Sequence, residues 1–365
     1  MISQEKSLAA YQQLRALIKD KILANEYIDK IPSELELARQ HNLNIKTVNK
    51  AVASLISEGL LFRVKGTGTF IRKNDLSKSF IATPKNIGVA IYQLRFMNNP
   101  FYSHVFGGIG EVIELCGYNL QIITTNKTRK NLNGKSLFYL DVVERGDVNG
   151  LIVSGDEVQK EDILKLHKNK FPFVLFGTKM PGKRFNCVDI DNFSGAYKAA
   201  AYLISLNHKR IAFMKGFDLK LDNERLAGYK AALQENNIRI DPDYITIGDF
   251  DTEKAYKATK KLLSLPARPT ALITSDDVMA VAAIQAAQDS GLRVPDDISI
   301  IGFNDMQLAS ALNPPLTTMK IDIHGMGKAA MTLLIEKLKN PDMAPREIIF
   351  QPELLVRAST QQFWE

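Results

Sequence analysis

The rhythm of apolar positions changes once along the chain, from a helical period to short runs of strand length. Leu8, Tyr11, Leu14, Leu17, Ile18 and Ile22 recur at three- and four-residue spacing, which predicts an amphipathic helix up to Leu23 with its Lys and Arg outside. Pro32-Ser33-Glu34 opens a second: Ser33 is a natural N-cap, Glu36 stands at the capping-box position, and Leu35, Leu37 and Ala38 are core candidates. After the turn His41-Asn42-Leu43, Asn44 can cap a third helix from Ile45 to Glu58. Its inward face is Val48, Ala51, Val52, Leu55 and Ile56, and Gly59 closes it. Leu60 to Val64, followed by Lys65-Gly66-Thr67-Gly68-Thr69-Phe70-Ile71-Arg72, reads as a hairpin with a glycine-rich tip. Two short helices joined by a tight turn, the second presenting Lys46, Thr47, Asn49 and Lys50 away from the core, make a helix-turn-helix, and the hairpin is its wing.

From Lys73 to Asn86 the periodicity is lost and the chain turns polar, with Pro84 near the end, which predicts a linker over 74–86. Beyond it, β-rich runs at 87–92, 120–124, 151–154, 173–176, 211–214, 271–274 and 298–303 alternate with helical patterns such as 196–206, 224–235 and 278–290. That alternation predicts βαβ units and parallel sheets covered by helices, an α/β class. Ligands of such sheets bind outside the carboxyl ends of the strands, so the residues that follow each strand are the candidates. They include Gln93, Arg95, Phe101 and Tyr102 after the first strand, Asp156 after the third, Asp276 and Asp277 after the Ala271 strand, and Asn304 after Phe303. Carboxylates, amides, an arginine and rings suit a polyhydroxylated ligand, whose vicinal hydroxyls take bidentate bonds while a ring covers its apolar face. Asp277 is placed to cap the next helix and is read as structural.

The charge adds a direction. The whole chain carries +7, from 47 Lys+Arg against 40 Asp+Glu, but residues 1–78 hold 13 basic and 8 acidic groups, hence +5, and the other 287 residues only +2. A basic N-terminal module suits a polyanion, because cations near phosphates release condensed counterions. Two cysteines, Cys116 and Cys187, are too few for a disulfide framework or a cysteine zinc site and are expected in the core. The N-terminus lacks the apolar stretch of a signal peptide and no run reaches membrane-spanning length, so a cytoplasmic protein is expected.

The run IPSELELARQHNLNIKTVNKAVASLISEGLLFRVKGTGTFI resembles the GntR family of winged-helix regulators, from its Pro-Ser-Glu start to its Gly-Thr-Gly-Thr-Phe wing. Leu35, Ile45 and Asn49 stand where many members carry arginine. The resemblance implies DNA contacts from Ser33, Glu34, Asn44, Lys46, Thr47, Asn49, Lys50, Arg63, Lys65, Gly66, Thr67 and Gly68, within a domain spanning 1–73. Residues 87–360 carry a second resemblance. VDIDNFSGAYKAAAYLISLNHKRIAF, NERLAGYKAAL, TALITSDDVMAVAAIQAAQDSGLRVPDDISIIGFND and PPLTTMKIDIHGMGKAAMTLLI are similar to the effector domain of LacI/GalR repressors. It implies a two-lobed, periplasmic-binding-protein-like fold with three crossovers over 87–365, lobe one at about 87–190 and 322–340 and lobe two at about 191–317 and 341–360. It also implies that Arg225, Asp276 and Asn304 hold a sugar between the lobes, joined by Gln93, Arg95, Phe101, Tyr102 and Asp156.

Together these imply a sugar-responsive transcription regulator, a repressor that binds a two-fold related DNA operator as a homodimer, with no cofactor, metal or membrane partner. An enzyme on a doubly wound fold is the competing reading. Against it, the chain has no GxSxG elbow, P-loop lysine motif or HExxH, and its histidines at 41, 104, 167, 208 and 324 lack ligand spacing. The GTGTF stretch is not a GxGxxG dinucleotide loop and no helix pattern follows it. A transport-type binding protein would need export, which neither the N-terminus nor the basic first module suggests.

Overall fold

The computed structural model describes residues 10–23, 26–57, 60–64, 67–71, 85–91, 99–124, 139–154, 160–180, 182–217 and 219–364. The chain divides into two units, residues 1–83 and 84–365.

In the first unit, α1 (Ala10–Leu23), α2 (Glu34–His41) and α3 (Ile45–Ser57) precede a hairpin of β1 (Leu61–Val64) and β2 (Gly68–Ile71), antiparallel with Leu61 opposite Ile71. Leu14, Ile18 and Ile22 of α1, Leu37 of α2, and Val48, Ala51, Val52 and Leu55 of α3 bury against one another, and Leu60, Leu61 and Ile71 close the cluster. Ser33 caps α2 with the full capping box: its Oγ accepts from the Glu36 N–H while Glu36 Oε2 accepts from the Ser33 N–H at 2.8 Å. Asn42 ends α2 in the left-handed region at φ 51°, which makes the tight turn into α3. One core expectation fails. Leu35 is 51% exposed, because two residues along a helix is about 200° of rotation and Leu37 already takes the inward direction. Leu8 and the closing Gly59 lie outside the described residues.

The second unit holds two six-stranded sheets. Lobe one begins with β3 (Asn86–Ile91), α4 (Pro100–Cys116), β4 (Asn119–Thr124), α5 (Leu140–Glu144), β5 (Gly150–Ser154), α6 (Lys160–Lys168), β6 (Phe173–Phe176) and β7 (Cys187–Ile190). The chain then enters lobe two with α7 (Asn192–Ser205), β8 (Ile211–Lys215), α8 (Lys220–Glu235), β9 (Ile245–Ile247), α9 (Thr252–Leu263), β10 (Ala271–Thr274), α10 (Asp277–Gln288), β11 (Ser299–Asn304), α11 (Gln307–Ala311) and β12 (Thr317–Lys320). Helix α12 (Ile323–Lys339) returns to lobe one, where it packs against α4 and β5 to β7. Strand β13 (Glu347–Phe350) completes the first sheet and β14 (Glu353–Leu355) the second.

The sheet orders are β13-β7-β6-β5-β3-β4 and β14-β12-β11-β10-β8-β9, parallel except for the β12–β14 pair. Most central strands are buried throughout, as sheets covered on both faces require. Each sheet reverses its strand order beside its first strand, β3 or β8, and the carboxyl ends there form the crevice where such folds take ligands. Two boundaries of the sequence reading need correction. Residues 341–360 do not go together to lobe two: β13 pairs in parallel with β7 and belongs to lobe one, whereas β14 pairs with β12. Asn86 is the first residue of β3, opposite Asn119, so the linker ends before it. No helix among the described residues is long and apolar enough to cross a membrane.

Candidate functional site

The outward surface of the first unit is organised around Glu34. At the first position of α2 it forms an ion pair with Arg63 on β1, and the Asn49 amide nitrogen of α3 donates to it, 2.6 Å from Oε2. One carboxylate thus ties the start of α2, the second turn of α3 and the hairpin. Asn44 Oδ1 caps α3, accepting from the Thr47 N–H at 2.8 Å and the Thr47 hydroxyl at 2.9 Å. Lys46 and Lys50 are exposed, the latter with its ammonium 4.1 Å from the Tyr11 ring centroid. Ser33 is occupied by its cap, whose bonds hold the Glu36 carboxyl below the usual range. Thr67 is exposed at the hairpin tip and Gly68 has φ 128°, a conformation that favours glycine. Lys65 and Gly66 lie outside the described residues.

Between the lobes of the second unit, Arg225 on α8 is the centre of a buried cluster. Its Nε donates to Asn192 Oδ1 at 2.8 Å, its Nη1 donates to the Ser275 carbonyl, and its guanidinium carbon lies 3.7 Å from the Phe303 ring centroid. Burial pushes its pKa down to about 10, against the pull of Asp222, Asp276 and Glu224. The same burial pushes the carboxyls of Asp222, Asp276 and Asp189 up. Asp222 accepts from the N–H groups of Gly216 and Phe217, at 2.8 and 2.9 Å, and so fixes the loop after β8. Asp276 caps α10 with Oδ1, which accepts from Met279 N–H at 2.8 Å, and its Oδ2 accepts from Asn99 Nδ2 of lobe one at 2.9 Å. Lys220 of lobe two lies 3.9 Å from Asp189 of lobe one and 3.5 Å from Glu224.

Asn99 also caps α4, and the first turn of that helix carries Phe101 and Tyr102, their rings 5.5 Å apart. The structure therefore joins the start of α4, the helix that carries Phe101 and Tyr102, to Asp276 of lobe two. Asn304 stands next to Phe303 with φ 103°, and its buried Oδ1 takes no hydrogen bond among the described residues. Gln93, Arg95 and Asp156 lie outside the described residues. Asp277 is structural, though not as a cap: Asp276 has that role, while Asp277 accepts from the Met306 N–H and the Thr318 hydroxyl, each at 2.6 Å. His208 is buried among Thr270, Ser299 and the Gln361 carbonyl, at 2.9 to 3.1 Å, and burial lowers its pKa. No group of three or more His, Cys, Asp or Glu suited to a metal occurs among the described residues.

Sequence reasoning misses Asn99, Asn192 and Asp222. The signal for Asn99 is present: Asn followed by Pro and an apolar run is a helix start, and it places the cap in the crevice. For Asp222 the sequence offers no signal, since its partners are backbone groups of a loop whose path only the fold determines.

Comparison with known proteins matches both units. Residues 6–71 match the bacterial regulatory proteins of the gntR family, and residues 200–360 match the periplasmic binding protein-like domain. The arabinose metabolism transcriptional repressor of Geobacillus stearothermophilus is 30% identical over 98% of this chain and 100% of its own. The transcriptional repressor CytR of Escherichia coli K12 is 33% identical over 72% of this chain and 76% of its own. A crystal structure of a LacI family transcriptional regulator from Enterococcus faecium with bound ribose superposes with a TM-score of 0.67 at 25% identity, over 76% of this chain and all of that one.

Proposed function

The chain belongs to the LacI family of transcriptional repressors, here with a gntR-type head, and on that premise we propose that it represses as a homodimer whose DNA affinity changes when a small carbohydrate binds between its lobes. It acts by binding DNA and not as an enzyme. The head is assigned to residues 1–73, the linker to 74–85, and the protein to the cytoplasm.

The observation that supports an effector site is the bond from Asn99, at the start of the helix that carries Phe101 and Tyr102, to Asp276 of lobe two, beside the buried Arg225 and Phe303. A sugar there would find a buried guanidinium, the buried amide oxygen of Asn304 that takes no hydrogen bond among the described residues, and aromatic rings. Because Asn99 already reaches Asp276 across the crevice, a hydroxyl that displaces or joins this bond has different contacts in open and closed arrangements. Differential contact of that kind is what a population shift requires. Pentoses come first as candidates, since the ribose of the Enterococcus faecium structure and the arabinose in the name of the Geobacillus repressor are both pentoses.

On DNA, α3 enters the major groove with Lys46, Thr47, Asn49 and Lys50, while Arg63 and the hairpin tip approach the backbone, with Ser33, Glu34 and Asn44 setting the pose. Fluorescence anisotropy of a labelled two-fold operator, titrated with full-length protein in the presence of pentoses, hexoses and disaccharides, tests the reading. The expected result is specific DNA binding that one sugar changes at least tenfold. A sugar that binds tightly yet leaves DNA affinity untouched removes the effector role.

A further inference from the structure

Asp189 and Lys220 carry opposite charges on opposite lobes. Asp189 is 2% exposed on β7 of lobe one, one residue before the end of that strand. Its Oδ1 accepts from the Ile190 N–H at 2.9 Å, and its Oδ2 lies 3.9 Å from Lys220 Nζ. Lys220 is the first residue of α8, and one turn further along that helix Glu224 Oε1 lies 3.5 Å from the same ammonium. Both distances exceed the ~2.7–2.9 Å of a direct charge-assisted bond, so Lys220 stands between a carboxylate of each lobe and is committed to neither.

The two carboxylates are not equivalent. Glu224 is partly exposed and also accepts from Asn192 Nδ2 at 3.3 Å, so water and an amide serve it when Lys220 leaves. Asp189 is shut away from water, and a buried carboxylate is costly without a counter-charge. Its ion-pair partner among the described residues is Lys220, with Lys179 of its own lobe a weaker influence. The charge that Asp189 needs thus sits on the other side of the crevice. A movement of about 1 Å that narrows the crevice would close this pair, and an opening would leave Lys220 to Glu224. We propose that Lys220 is a positioning residue for the effector response: it passes from Glu224 to Asp189 as the lobes approach, and so stabilises the sugar-bound arrangement without touching the sugar. The proposal rests on the effector reading of the crevice, in which a ligand favours the arrangement that it contacts better.

Calorimetric titration of the full-length protein with arabinose, ribose, and then hexoses and disaccharides first establishes which sugar binds. Asp189→Asn keeps the bond to Ile190 and removes the charge, while Lys220→Gln removes the cation, and each should weaken that sugar about three- to tenfold. The double variant should bind no more weakly than either single one, because both remove the same pair. Glu224→Gln still accepts from Asn192 but releases Lys220, and should tighten binding about two- to threefold. That reversal of sign between two carboxylates of one cluster is not what a merely structural role produces. All three replacements are close to isosteric, and thermal melts check that each variant folds. Unchanged affinity in Asp189→Asn and Lys220→Gln would overturn the proposal. So would additive losses in the double variant, which would mean that one of the two side chains meets the sugar itself, or a weakening by Glu224→Gln. If no sugar of the panel binds the unaltered protein, the effector reading itself falls, and the proposal with it.

Discussion

Asn304 combines a φ of 103° with a buried carbonyl oxygen that takes no hydrogen bond among the described residues, two costs that packing alone does not repay. Asn304→Gly removes both. Relief of backbone strain and the loss of a restrained side chain should offset to within ~1 kcal/mol, leaving the thermal midpoint nearly unchanged. Effector affinity should fall roughly tenfold, equivalent to ~1.4 kcal/mol. Calorimetric binding together with a thermal melt checks it, and a collapse of the melting temperature would make Asn304 a structural residue. Asp277 makes a different statement. Burial pushes its carboxyl up to about 7, so between the ordinary value of 3.8 and 7 the folded protein holds a proton that the unfolded chain has released. Its contribution to stability is therefore full below about pH 4 and is lost as the pH rises towards 7, by at most ~1.4 kcal/mol per pH unit. Asp277→Asn mimics the protonated form, its carbonyl accepting from Met306 N–H and its amide donating to Thr318 Oγ1. Urea unfolding from pH 4 to 7.5 should show a flatter profile and no loss of stability at pH 7.5. A profile as steep as that of the unaltered protein would place the titration elsewhere.

At the scale of elements, close approach of helices decides how lobe one is built. Helices α4 and α12 meet where Gly108 lies against the His324 carbonyl and Gly327 against the Val105 carbonyl, so that a Cβ at either glycine would overlap backbone, which cannot rotate away. Gly327→Ala should therefore destabilise the second unit by ~1–3 kcal/mol, despite the better helix propensity of alanine. Thermal unfolding measures this, and an unchanged midpoint would mean that the pair relaxes freely. These elements also show what a sequence discloses. Helices of the head and the central strands are legible because each has its own period or apolar run, as in Ala271–Thr274. Strand β13 is not, since Glu347-Ile-Ile-Phe350 could serve either sheet and only its parallel register with β7 assigns it to lobe one. The crevice is partly legible for a similar reason. Asp276 and Asn304 follow predicted strands and Arg225 is named only by the family resemblance, whereas the bond from Asn99 to Asp276 joins residues 177 positions apart and depends on how two lobes meet.

For the whole molecule, the asymmetric charge and the two-unit build imply that one head alone is a weak binder. The head carries most of the +7, a modest charge with which to hold DNA alone. In the proposed homodimer two heads gain by effective concentration, typically ~10²–10⁴ over one, and the second unit would supply the link. Lobe one offers a surface for it: Leu115 is 89% exposed at the end of α4, with Leu120 and Ile122 exposed on β4, an edge strand of the first sheet. An exposed aliphatic edge is a liability unless another chain covers it. Leu115→Glu combined with Ile122→Glu should yield a monomer by sedimentation at micromolar concentration and cut operator affinity at least ~100-fold. Leu115, 89% exposed, contacts little within one chain, whereas Ile122, 42% exposed, contacts more, so a thermal melt accompanies the sedimentation run and effector binding should survive the change. A variant that stays dimeric would move the interface elsewhere on the second unit, while a monomer with undiminished operator affinity would show that the head needs no partner copy.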